Sequence, residues 1–145
     1  MVIAFDADVL IYASQQGNPT GAPVAALFAD EAKHSSHETG VVEPVGIGSA
    51  LLLPELLIKP LRRGQSDEYE SLASFLGRLE LRPFDAKTAI LAVSLGATYG
   101  MRTADAAHLA TAINSGADYF LTNNRKDFPQ TISEISVVYP TDLPL

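Results

Sequence analysis

Short apolar runs alternate along the chain with longer segments in which apolar side chains recur at helical spacing. The short runs are rich in β-branched and aromatic residues and predict strands at 2–5, 41–47, 79–84, 119–122 and 135–139. The longer segments predict helices at 8–13, 23–33, 49–61, 66–79, 86–99 and 104–115. Strands that alternate with helices in this way are typical of an α/β domain with a mainly parallel sheet.

Capping residues and breakers locate the ends of several helices. Side chains suited to helix N-caps and glycines suited to helix ends stand at Ser49, Gly64, Asp85, Thr103 and Gly116. Pro54 interrupts the helix predicted at 49–61, so that helix either begins close to Pro54 or kinks there. The helix after Asp85 has an apolar face formed by Ile90, Val93 and Ala97. Residues 34–40 are polar and predict a loop.

Composition restricts the classes of protein that the chain can belong to. Its 145 residues are 47% hydrophobic and 19% charged, which predicts one domain with a sizeable core. It has no cysteine, which excludes disulfides, zinc–thiolate sites and cysteine nucleophiles. The longest apolar stretch, 50–58, contains Glu55 and is too short to span a bilayer, and no basic segment typical of a secretory signal precedes the first strand. We therefore expect a soluble, cytoplasmic protein.

The net charge of −7 argues against a nucleic-acid ligand, because phosphate backbones repel acidic proteins. Two features weaken that argument. Divalent cations neutralise clustered carboxylates, and basic residues are grouped locally at Lys59, Arg62 and Arg63. Charge therefore lowers the expectation of a nucleic-acid ligand without excluding it.

Glu55 stands alone among apolar residues, with leucine or isoleucine at 51–53 and 56–58. A helix that is apolar on nearly every side is normally buried, and a buried carboxylate without a partner is strongly unfavourable. We therefore expect Glu55 to face a cavity, a cation or a partner. The alternative is a structural ion pair with Arg62 or Arg63.

Two aspartates are further candidates for a functional site. Asp6 ends the first apolar run, and Asp105 stands in the first turn of a predicted helix. Each also has a structural explanation, because aspartate caps helices and a negative charge is favoured near a helix N-terminus. Asp8 has the same capping alternative. His108 follows Asp105 by three residues and either faces the same side of the helix or is a hydrogen-bonded structural group.

The segment after the fourth predicted strand is a third candidate. It runs from Thr122 through Asn124 to Asp127, and its position at a strand end brings it to the same rim of the sheet as Asp6. The alternative is a solvated loop that Phe128 anchors to the core. Carboxylates that converge at a rim repel one another without cations, and oxygen ligands suit Mg²⁺ or Mn²⁺. The sequence therefore predicts a divalent-metal site that activates water for attack at phosphorus.

Four segments carry these residues in order: Phe5–Ile11, Leu53–Leu57, Tyr99–Ala110 and Thr122–Phe128. Together they resemble the motifs of the PIN-domain nucleases, most closely the VapC-type toxins of bacterial toxin–antitoxin pairs and their stand-alone relatives. The resemblance spans nearly the whole chain; each motif alone is weak, but the ordered set is fairly specific. It implies one domain over 1–145, a three-layer α/β/α fold with a mainly parallel central sheet, and Mg²⁺- or Mn²⁺-dependent cleavage of single-stranded RNA.

The resemblance also assigns roles to residues. It implies that Asp6, Glu55 and Asp105 are catalytic and hold the metal. The family often has a fourth acidic residue where this chain has Asn124, and Asp8 and Asp127 are candidates to supply the missing charge. In the implied mechanism, Thr122 and Asn124 orient water or phosphate.

The resemblance implies partners as well. Family members typically form homodimers, and the toxin members bind a small antitoxin protein that blocks the site. RNA is the implied substrate. Its backbone would be held by Lys59, Arg62 and Arg63, for which the alternative is a solvated basic end of a helix.

Two other functions remain open at this stage. The Asp6–Asp8 pair after an apolar strand is also typical of phosphatases of the haloacid dehalogenase class, although Leu10 departs from their motif and a late acidic pair is missing. The second alternative is a PIN-like binding module without catalytic activity, which Asn124 and the acidic charge favour.

Overall fold

The sheet consists of five parallel strands. In the computed structural model, which describes residues 1–29 and 43–145, they are β1 (Ile3–Phe5), β2 (Gly46–Ser49), β3 (Leu79–Arg82), β4 (Tyr119–Leu121) and β5 (Ser136–Val138). Their spatial order is β3-β2-β1-β4-β5, and every neighbouring pair is parallel. The predicted α/β fold with a mainly parallel central sheet is confirmed.

Six helices are described around the sheet: α1 (Ala7–Ser14), α2 (Ala22–Ala29), α3 (Leu52–Arg62), α4 (Ser66–Leu76), α5 (Ala86–Tyr99) and α6 (Thr103–Asn114). A short 3-10 helix, Pro140–Asp142, follows β5. Among the described helices, none combines the length and the apolar character that a membrane crossing requires. The predicted loop at 34–40 and the end of the helix predicted at 23–33 lie outside the described residues.

The helices form two layers, because successive side chains of a strand point to opposite faces of the sheet. Ile3 and Phe5 pack into a core with side chains of α1, α2, α3 and α4. Ala4, between them, packs into a second core with side chains of α5 and α6. The three-layer α/β/α arrangement follows from this alternation.

The second strand begins later than the sequence predicts. It occupies Gly46–Ser49 instead of 41–47, and residues 41 and 42 lie outside the described part of the chain. Gly46 weakens strand propensity, yet the packing requires it. A Cβ at this position would lie 2.2 Å from the carbonyl oxygen of Ile3 and 2.6 Å from the ring of Phe5. Close approach of the two backbones therefore explains this glycine.

Helix α3 begins at Leu52, so the prediction that Ser49 caps it was wrong. Ser49 is the last residue of β2, and its hydroxyl accepts a hydrogen bond from the Leu51 amide at 3.2 Å. Pro54 falls in the first turn, where a backbone N–H has no partner within the helix, and is therefore tolerated without a kink. Only the face formed by Leu52, Leu56 and Pro60 is buried.

The prediction that helix α3 is buried was wrong, and the shared apolar face predicted for α5 lies at the surface. Helix α3 is not buried on nearly every side, because Leu53, Ile58 and Leu61 are exposed. On α5 the exposed side chains include Ile90 and Val93, whereas the buried positions are Thr88 and Leu95. Both helices have apolar residues on more than one side, so periodicity alone does not identify the buried face.

Candidate active site

Asp6 lies at the C-terminal end of β1, beside the end of the neighbouring strand β4. Its side chain is buried, and its Oδ1 accepts a hydrogen bond from the Ala7 amide at 2.8 Å, so it does cap α1. Its Oδ2 accepts a second hydrogen bond from the Thr122 hydroxyl at 2.8 Å. Asp6 therefore caps α1 and also lies at the predicted site, because its two carboxylate oxygens accept different hydrogen bonds.

Thr122 is fully buried, and its hydroxyl also accepts a hydrogen bond from the Asn124 amide at 3.1 Å. The family resemblance implied that it orients water or phosphate. In the structure this hydroxyl fixes Asp6 and the start of the loop after β4. The side chain of Asn124 is engaged with Asp127, through contacts of 2.8 and 3.2 Å.

Asp8 ties the first turn of α1 to the same loop. Its Oδ2 accepts a hydrogen bond from the Asn123 amide at 3.0 Å. Its Oδ1 is buried and has no hydrogen-bond partner among the described residues. A buried carboxylate oxygen without a donor is unfavourable unless a proton or a cation compensates it.

Asp105 lies in the first turn of α6, where the dipole of the helix favours its charge. Its Oδ2 is also buried without a hydrogen bond in the described part of the chain. The guanidinium Nε of Arg102 lies 3.4 Å from that oxygen and forms an ion pair through an otherwise exposed side chain. Arg102 is a residue of the site that the sequence analysis missed, although its place immediately before the helix that carries Asp105 is visible in the sequence.

Glu55 pairs with His108 rather than with Arg62 or Arg63. The His108 Nε2 lies 2.6 Å from the Glu55 Oε2 and joins α6 to α3. The Glu55 side chain is 39% exposed and the His108 side chain 2%. The expectation of a buried Glu55 was therefore wrong, while the expectation of a charged or polar partner was correct.

Burial and mutual repulsion shift the pKa values of these groups. Burial raises the pKa of Asp6, and the charge of Asp105 adds to that effect against the opposing influence of His108 and Thr122. Burial, together with the charge of Asp6, raises the pKa of Asp8 to about 7. Such shifts are typical of carboxylates that share one site.

The pKa of His108 is also raised. Burial opposes its charged form, but the hydrogen bond that His108 donates to Glu55 and the charges of Asp6, Glu55 and Asp105 outweigh burial. The mutual influence of these groups indicates that Asp6, Asp8, Asp105 and His108 lie together at the rim. Glu55 joins them through His108.

The predicted RNA-binding residues Lys59, Arg62 and Arg63 are exposed at the C-terminal end of α3. Lys59 follows Glu55 by one helical turn, and the two arginines lie farther along. On the loop after β4, Arg125 is exposed, with its guanidinium 4.3 Å from the centre of the Tyr139 ring. The sequence analysis did not single out Arg125.

The carboxylate oxygens of the site are of the chemical kind that binds a hard divalent cation. Across residues 1–29 and 43–145, no group of three His, Cys, Asp or Glu side chains is already arranged as a metal cluster. However, the Oδ1 of Asp8 and the Oδ2 of Asp105 are buried without a hydrogen bond among the described residues, and carboxylate oxygens are the ligands that Mg²⁺ and Mn²⁺ prefer.

The fold and the rim of carboxylates define a class of protein in which acidic side chains gather at the C-terminal ends of parallel strands. Within that class, the sequence pattern of the PIN domain matches residues 3–132. The chain belongs to the PIN domain family, whose members are nucleases. This match favours the PIN interpretation over the phosphatase alternative. Among curated proteins, no sequence matches the chain significantly.

Solved structures with the same fold come from toxin–antitoxin complexes. One is VapBC2 from Rickettsia felis bound to a promoter DNA fragment, at 19% identity and a TM-score of 0.69 over 96% of this chain and 98% of that one. Another is DNA-bound VapBC from Salmonella typhimurium, at 16% identity and a TM-score of 0.70 over 97% and 98% of the two chains. A toxin–antitoxin complex from Klebsiella pneumoniae aligns at 21% identity and a TM-score of 0.61, over 95% and 97%. At these identities the likeness shows the fold.

Proposed function

We propose that this protein is a Mg²⁺- or Mn²⁺-dependent endoribonuclease that cleaves single-stranded RNA and is the toxin of a toxin–antitoxin pair. The observation that carries the proposal is the group of carboxylates at the rim of a PIN fold, two of which have a buried oxygen without a hydrogen-bond partner among the described residues. A buried carboxylate oxygen without a partner lowers the stability of a protein core, whereas in a metal site the same oxygen is a ligand.

In this proposal Asp6, Glu55 and Asp105 hold the metal, and Asp8 is a further ligand. A divalent ion bound there supplies an activated water and neutralises charge at the scissile phosphate. The Thr122 hydroxyl fixes Asp6 and favours its ionised form, against the effect of burial on its pKa. The side-chain amide of Asn124 donates a hydrogen bond to Asp127, so either side chain would reach the metal only after this hydrogen bond breaks.

RNA would approach over an exposed basic border of the site. Lys59 lies one turn beyond Glu55, Arg62 and Arg63 follow, and Arg102 flanks Asp105. These basic side chains would hold the phosphate backbone, and their positive charges would offset the net charge of −7 locally. In this proposal, phosphate binding would also draw Arg102 away from Asp105 and free that carboxylate for the metal.

Two protein partners belong to the proposal. The structural neighbours are toxin–antitoxin complexes, which supports a small antitoxin as the inhibitor of the site. A second copy of the chain is proposed to dock on the exposed stripe of α5, formed by Ile90, Val93 and Ala97. Lys87 is the only charged residue of α5, so two acidic chains can meet there with little repulsion.

Cleavage of a mixed single-stranded RNA pool tests the proposal. We expect Mn²⁺-dependent cleavage by the wild type, loss of cleavage with a chelator, and at least a hundredfold slower cleavage by Asp105→Asn and Glu55→Gln. Asp67→Asn, at an exposed position in the first turn of α4, serves as a purification control. Equal activity in wild type and Asp105→Asn would identify a contaminant and contradict the proposal.

The second candidate function is a PIN-like binding module without catalysis. The observation that favours it is the amide of Asn124, which lacks the charge of the family's fourth acidic residue and is bonded to Asp127. An inert module would show no rise in melting temperature with Mn²⁺. A rise that Asp105→Asn abolishes would exclude a module without a metal site.

A further inference from the structure

The carboxylate of Glu55 is placed by one contact. Its side chain is long and 39% exposed on α3, and a flexible side chain at a surface does not keep one position unless something fixes it. Within the described residues, its side-chain hydrogen bond is to His108, at 2.6 Å. His108 belongs to α6, the helix that also carries Asp105.

The geometry assigns the direction of this hydrogen bond. A carboxylate only accepts, so the Nε2 of His108 carries the proton and donates it to the Oε2 of Glu55. The second ring nitrogen, Nδ1, is buried and has no hydrogen-bond partner in the described part of the chain. One oxygen of Glu55 is thereby fixed, and Oε1 is left for another ligand.

We propose that His108 is a positioning residue, which donates a hydrogen bond to Glu55 and presents the free oxygen of that carboxylate to the metal held by Asp6 and Asp105. This inference rests on the proposed function. Hydrogen bonds of this kind orient metal ligands, and their loss typically weakens metal binding by roughly 10- to 100-fold.

Direct roles fit His108 less well. At 2% exposure its side chain does not reach a substrate in solvent. Its Nε2 is committed to Glu55, so it does not ligate the metal through that atom in this geometry. A purely structural role remains the alternative, because a buried histidine that bonds across two helices also stabilises a fold.

Substitutions of His108 separate these two roles. His108→Leu has a similar volume and no donor, whereas the amide nitrogen of His108→Gln lies about where Nε2 does and restores the donor. Thr111→Val is a matched control, since Thr111 is equally buried one turn farther along α6 and, among the described residues, its hydroxyl donates to the Ala107 carbonyl of its own helix. We expect all three variants to fold, which circular dichroism checks.

The measurement is the affinity for Mn²⁺ alone, by calorimetry on the metal-free full-length protein. We expect His108→Leu to weaken binding roughly 10- to 100-fold, and His108→Gln and Thr111→Val to stay within about threefold of the wild type. In combination with Glu55→Gln, the effect of His108→Leu should vanish, because both changes remove the same interaction. If His108→Leu does not fold, His108→Asn, whose amide is too short to reach Glu55, replaces it.

Three results would overturn the inference. Equal or tighter Mn²⁺ binding by His108→Leu would mean that His108 withholds Glu55 from the metal or is only structural. Additive effects of His108→Leu and Glu55→Gln would mean that His108 acts elsewhere. Absence of Mn²⁺ binding by the wild type would overturn the proposed function and this inference together, whereas the first two results leave the proposed function standing.

Discussion

Asp8 shows how one side chain couples the site to stability. Its pKa rises from an ordinary 3.8 to about 7, because burial and the charge of Asp6 disfavour the ionised form in the folded state. Between these values the folded chain holds a proton that the unfolded chain has released. The free energy of unfolding therefore falls as pH rises from about 4 to about 7.

We expect Asp8→Asn to remove most of this dependence in the metal-free protein. The variant remains neutral at all pH values and keeps an acceptor for the Asn123 amide, so above pH 7 it should be more stable than the wild type by about 2 kcal/mol. Urea unfolding from pH 4 to pH 8 measures the difference. Asp67→Asn, at an exposed position, is the control, and parallel profiles for wild type and Asp8→Asn would contradict the expectation.

Single residues also show where sequence inference succeeds. Asp85 was predicted to cap a helix, and capping was the structural alternative for Asp6; both residues do cap, by accepting hydrogen bonds from the Thr88 and Ala7 amides. Such caps involve neighbours within a few residues, which the sequence displays. The partner of Glu55 is 53 positions away on another helix, and no local pattern distinguishes His108 from Arg62 in that role.

At the scale of elements, strand β2 illustrates packing that overrides propensity. Glycine is a poor strand residue, yet Gly46 lies where β1 leaves no space for a side chain. Strand propensity therefore placed the strand too early. The element types were predicted correctly because hydrophobic periodicity distinguishes helices from strands. The start of β2 and the buried faces of α3 and α5 depend instead on which parts of the chain pack against them.

We expect Gly46→Ala to disrupt the pairing of β2 with β1. The new methyl group would clash with the Ile3 backbone, which cannot move without breaking the sheet, and the cost should be about 3 kcal/mol. Gly77→Ala is the control, because a Cβ there meets nothing closer than 3.4 Å and φ is −65°. Chemical denaturation compares the two variants; equal stability of both would contradict the explanation given for Gly46.

At the scale of the whole molecule, charge and apolar surface have opposite effects on self-association. Each chain carries a net charge of −7, so two copies repel at long range. Ile90 and Val93, each 73% exposed, offer an apolar stripe on a helix that has one charged residue. Association through this stripe would gain from burial of apolar surface and lose from repulsion between the remaining surfaces.

This opposition gives the proposed dimer a characteristic salt response. Raising the ionic strength screens the repulsion and leaves apolar burial in place, so the dimer should become tighter between low salt and about 0.5 M NaCl. An interface built on ion pairs would respond in the opposite direction. Analytical ultracentrifugation of the full chain across this range distinguishes the two.

Substitution locates the interface. Ile90→Glu and Val93→Glu together add charge to the centre of the stripe, and we expect them to weaken dimerisation at least a hundredfold and give monomers at micromolar concentration. Leu61→Glu, on the exposed face of α3, adds one charge to a similarly exposed apolar residue and should leave the dimer in place. If Leu61→Glu dissociates the dimer and the α5 variant does not, the second copy docks on α3. That result would place it beside Lys59, Arg62 and Arg63, where it would compete with RNA for the same surface.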